Sequence, residues 1–129
     1  MKFETRRVTA MADAIAPDGS EVRVLCGLSR GGFALFSLPP DAVSKAVAHR
    51  TVEELWYVVS GHGRIWRRLG GQEELVELGP GVSLSIPMGT QFQFRCDGPQ
   101  PLSVLGATMP PWPGAEEAFG VEGIWEATV

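Results

Sequence analysis

The stretch AHRTVEELWYVVSGHG, residues 48–63, holds one histidine, two glutamates, an apolar run and a glycine turn. The apolar run ELWYVV is β-rich, and the Gly61-His62-Gly63 turn closes it. β-branched and aromatic residues bounded by a turn predict a strand. Both faces of this strand are apolar. The sequence therefore predicts burial on both sides, within a sandwich or beneath a subunit interface.

Outward from this stretch, turn signals recur every eight to twelve residues: Pro17-Asp18-Gly19, Gly31-Gly32, Pro39-Pro40-Asp41, Gly70-Gly71, Gly79-Pro80-Gly81, Pro87-Met88-Gly89 and Asp97-Gly98-Pro99. Between them lie EVRVLCGL, FALFSL, RIWRRL, ELVEL, VSLSIP, QFQFRC and LSVLGAT. No segment carries a long helical period. This is the signature of an all-β protein, a sandwich or barrel of two antiparallel sheets. Alternation sets Val82, Leu84 and Ile86 against Ser83 and Ser85. It likewise sets Phe92, Phe94 and Cys96 against Gln91, Gln93 and Arg95.

The 129 residues suit one domain, 1–129, large enough to bury a core without disulfides. Residues 108–129, rich in proline and aromatics, read as a C-terminal strap, with a wall or lid of a pocket as the other reading. Cys26 and Cys96 are expected to be reduced thiols in a core. The formal charge is −4, and the only adjacent basic residues are pairs such as Arg6-Arg7 and Arg67-Arg68. Nothing supports a nucleic-acid footprint. No apolar run approaches the roughly 18 residues of a membrane span. The N-terminus lacks a signal-peptide core, so a cytoplasmic location is expected.

His49, then four residues, Glu54, then six residues, Gly61 follow the later part of the first cupin motif. Gly81, then five residues, Pro87-Met88-Gly89 follow the start of the second. On these residues the chain resembles the cupin superfamily, with the spacing of a compact cupin. The tail ATMPPWPG also looks like that of small sugar-isomerase-like cupins. The resemblance implies a jelly-roll barrel with a ligand or metal site inside. It also implies four metal ligands, at positions occupied here by Val47, His49, Glu54 and Phe92. Val and Phe offer no lone pair, so only His49 and Glu54 remain as metal ligands, and a divalent cation needs more. Glu53 has the wrong strand parity to help, and His62 reads as a turn residue.

Three functions stand open. The first is a cupin that binds a small organic ligand, as a binding module or as a metal-independent isomerase- or epimerase-like enzyme. There His49 and Glu54 would form an acid–base pair. The second is a metal-dependent dioxygenase or sugar-isomerase-like enzyme using His49 and Glu54 as ligands to a divalent metal. The third is a structural or sensory cupin. In the first reading Val47, Trp56, Val58, Phe92 and Phe94 line an apolar pocket. Lys45 offers one cation at its mouth, and the facing of Arg64 and Trp66 is open. A carboxylate beside His49 is expected to raise the imidazole's pKa. The two-faced apolar strand predicts a homodimer.

Overall fold

A computed structural model describes residues 2–129. It contains eleven strands in chain order: β1 (Ala14–Ile15), β2 (Glu21–Leu28), β3 (Gly31–Leu38), β4 (Val47–His49), β5 (Glu53–Ser60), β6 (Gly63–Leu69), β7 (Gln72–Leu78), β8 (Ser83–Ile86), β9 (Gln91–Cys96), β10 (Leu102–Met109) and β11 (Ala118–Gly120). One 3₁₀ turn, Ala115–Glu117, precedes β11. Two sheets form, in the orders β1-β2-β3-β10-β5-β8 and β11-β4-β9-β6-β7. Every paired strand is antiparallel. The fold is the all-β jelly-roll of two antiparallel sheets that the turn spacing predicts.

Alternation selects the core. Trp56 and Val58 of β5, Leu84 and Ile86 of β8, Ile65 of β6, and Phe92 and Phe94 of β9 meet between the sheets. Each is flanked along its strand by residues that point away, so one face of each sheet is dry. Gly61 enables the turn after β5. Its φ is +83°, and a Cβ there would fall within 3 Å of the Pro101–Leu102 backbone.

Three sequence expectations change. ELWYVV is not buried on both faces within the chain: Leu55, Tyr57 and Val59 are each half exposed on the outer side of β5. Apolar composition alone cannot distinguish a covered outer face from an open one. Cys26 is not in the core; it lies partly exposed on β2, with its Sγ on the Glu4 carbonyl, while Cys96 is buried and both are free. The strap begins after Met109, because Thr108 and Met109 still pair with Glu54 and Glu53 as part of β10.

The tail packs against the outer face of β9. Gln93 faces out from β9 yet is buried beneath it. Its Nε2 donates to the Ser44 and Trp125 carbonyls, and its Oε1 accepts from the amides of Ile124 and Trp125. The guanidiniums of Arg64 and Arg95 lie 5.6 and 5.4 Å from the Trp125 ring centroid. Both arginines also bond Asp97. Short β1, β4 and β11 escape a periodicity reading because two or three residues cannot display one.

Candidate functional site

β4 and β5 bring the opening stretch together. Val47 and His49 alternate inward along β4, and Glu54 and Trp56 alternate inward along β5. Arg50–Val52 turn the chain between the sheets. Glu117 steadies that turn, because its carboxylate accepts from the Thr51 amide and the Thr51 hydroxyl. His49 and Glu54 consequently meet: Nδ1 lies 3.1 Å from Oε2, with both side chains more than nine-tenths buried. The approach lacks hydrogen-bond alignment, and Nδ1 is left without a partner. The other carboxyl oxygen, Oε1, accepts from the Trp56 indole at 3.3 Å.

The pair opens into a cavity of about 650 Å³. Val47, Trp56 and Phe92 line it, as do Phe36, Thr108 and Asp18. Val58 and Phe94 are not in the lining; both are fully buried in the solid core, and Phe94 packs edge-on beneath Trp56 at 4.9 Å. The parity that set them inward does not say how deep the cavity reaches. The tail contributes Pro111 and Trp112 to the wall, so it is pocket wall as well as strap. The Trp112 and Phe92 rings stand edge-on to His49 at 5.0 and 5.3 Å.

Lys45 is exposed and lies outside the lining, against the Asp18 turn. Glu53 and His62 point to solvent. Arg64 and Trp66 face away from the core: Arg64 meets the tail, and the Trp66 indole donates to Glu73 at 2.6 Å. Asp18, read in the sequence only as part of a turn, is the polar lining residue that reading missed. It is buried, and its Oδ1 accepts from the Ser20 amide and hydroxyl.

Burial decides the protonation of the pair. It lowers His49 to about 4, against an opposing pull from the Glu117 carboxylate. It raises Glu54 to about 8; the Trp56 indole opposes this, and the Asp18 carboxyl adds to it. The expectation of a raised histidine is therefore reversed, because losing water costs the imidazolium more than the Glu117 carboxylate returns. Burial thus favours the uncharged form of both partners. Asp18 is also raised, first by burial, with the Ser20 bonds and Lys45 pulling the other way.

The donor set does not fit a metal. Val47 and Phe92 are direct partners across the β4–β9 ladder. They fill with hydrocarbon the two positions where the cupin pattern has imidazoles, and the Phe92 ring occupies the space beside His49. Among the described residues no three His, Cys, Asp or Glu side chains gather as a ligand set. One imidazole and one carboxyl leave the shell incomplete.

Among solved structures, the barrel is similar to oxalate decarboxylase from Bacillus subtilis: TM-score 0.69, 16% identity, 83% of this chain and 29% of that one. It is similar to the capsular polysaccharide assembling protein CapF from Staphylococcus aureus: TM-score 0.67, 18% identity, 81% and 30%. A Bacillus halodurans protein gives TM-score 0.65 at 20% identity, over 79% of this chain and 76% of that one. This chain thus spans less than a third of the first two. No curated protein matches. The family described as Cupin domain matches residues 34–107, from β3 through nearly all of β10. The chain belongs to the cupin family.

Proposed function

We propose that this cupin binds one compact organic molecule in its barrel, with the apolar body against Trp56, Phe92 and Trp112 and a polar handle at His49 and Glu54. The observation that carries this is the buried, unpartnered Nδ1 of His49 opening on a cavity of about 650 Å³. A buried polar atom without a partner costs about 1–3 kcal/mol, and a ligand that bonds it recovers that cost. The cavity is within the usual size for small-molecule sites and is mostly apolar. An uncharged imidazole accepts a proton and an uncharged carboxylic acid donates one. The pair therefore suits proton transfer of the isomerase or epimerase kind without a metal. The neighbours of this barrel include an enzyme, oxalate decarboxylase.

Calorimetric titration with phenethyl alcohol, an apolar ring bearing one polar handle, tests the binding reading. Saturable heat that disappears in Val47→Trp, which fills the cavity, supports it. Absence of heat up to millimolar ligand overturns it.

The same reading includes a second copy of the chain as partner. Leu55, Tyr57 and Val59 of β5 continue through Leu105 and Ala107 of β10 to Phe33 and Leu35 of β3 on one outer face. An apolar face spanning three neighbouring strands suits a self-complementary two-fold contact.

A further inference from the structure

We propose that the ligand of this cavity is an organic cation, an ammonium on an aromatic or aliphatic body, seated between Glu54 and Asp18. The proposal rests on the binding reading above and adds the charge class. Two buried carboxyl side chains, Glu54 and Asp18, line the one cavity. Arg6 is the single Lys or Arg in its lining, and it is exposed and paired with Glu4 at 3.2 Å. Lys45 approaches Asp18 only from outside. Among the described residues, the barrel surrounds two acids with hydrocarbon and turns no Lys or Arg inward toward either.

The other polar groups at this end are acceptors or neutral. His49 Nδ1 has no partner. Glu54 Oε1 takes only the Trp56 indole, and Asp18 Oδ1 takes only Ser20. An ammonium is all donor and no acceptor. It matches the acceptors on His49, Glu54 and Asp18 and brings a positive charge to them from inside the cavity. The carboxyl that receives it gives up its proton to solvent. The rings of Trp56, Phe92 and Trp112 line the same space, and ring faces attract ammonium groups. A carboxylate ligand would find no inward base to pair with and would sit beside two acids.

Three probes sharing one skeleton separate the possibilities: phenethylamine, phenethyl alcohol and hydrocinnamate, titrated calorimetrically into the purified protein at neutral pH. The ammonium should bind at least about tenfold tighter than the alcohol, the effect of one partly desolvated ion pair, and hydrocinnamate should bind weakest. Asp18→Asn keeps the acceptor for Ser20, and Glu54→Gln keeps the side chain's volume. Each should weaken amine binding by at least about tenfold, to the affinity that the alcohol shows in the parent protein. Alcohol or hydrocinnamate binding as tightly as the amine overturns the charge class and leaves the binding reading standing. Binding of none of the three overturns both. Amine affinity unchanged in both variants also overturns the proposal, because the cation would then sit elsewhere.

Discussion

Gly106 stands directly across the β10–β5 ladder from Trp56. A Cβ at Gly106 would come within 2.4 Å of the Phe36 ring and 3.5 Å of the Trp56 ring. The missing side chain is what lets Phe36 and Trp56 stack at 6.1 Å across β10 and floor the cavity. Gly106→Ala should therefore destabilise by about 1–3 kcal/mol through overpacking, read from urea denaturation. It should also displace Phe36 or Trp56 and weaken ligand binding. Unchanged stability would mean that the two rings yield freely.

The protonation of the pair fixes a pH dependence. Glu54 is raised from 4.5 to about 8, so the unfolded chain releases this proton first, and folding stability falls as pH rises between those values. His49 is lowered from 6.5 to about 4, so its contribution is full above 6.5 and is lost as pH falls toward 4. The two oppose each other below 6.5. Between 6.5 and about 8 the Glu54 effect stands without His49. Stability should fall across that window by about 2 kcal/mol, and Glu54→Gln should remove most of the fall. Denaturant midpoints measured across the window check this; stability that rises with pH there would contradict it.

Val47 and Phe92 face each other across β4 and β9, with His49 beside them. Replacing both with histidine places three imidazoles and Glu54 at one end of the barrel. The double variant should bind zinc or nickel at least about tenfold tighter than the parent, measured by calorimetry on untagged protein. Parent affinity equal to that of the variant would show that the two apolar residues do not limit the site.

The outer face of β5 predicts association. Leu55, Tyr57 and Val59 are each about half exposed beside Phe33. Sedimentation at micromolar concentration should show a dimer, and Tyr57→Glu, which buries an unpaired charge at the contact, should shift it to monomer. A parent that remains monomeric at high micromolar concentration would rule out this face as the interface.

Turn residues and strand alternation are local properties, and they were enough for the sequence to determine the two-sheet barrel. QFQFRC and VSLSIP show their inner faces in their own letters, and the Gly61, Gly81 and Gly89 offsets mark where the cupin motifs turn. His49 and Glu54 were legible as a pair because one lies on each side of a single short turn. The tertiary structure decided the rest. Asp18 reaches the cavity from a turn thirty-six positions before Glu54, and Trp112 reaches it from the tail; neither distance is encoded in a period. Val58 and Phe94 share the parity of Trp56 yet fall outside the cavity, because parity gives direction and not depth. The charge of the pair also depended on the fold. Proximity in sequence suggested an imidazolium, and only the burial imposed by the surrounding hydrocarbon shifts both groups toward their neutral forms.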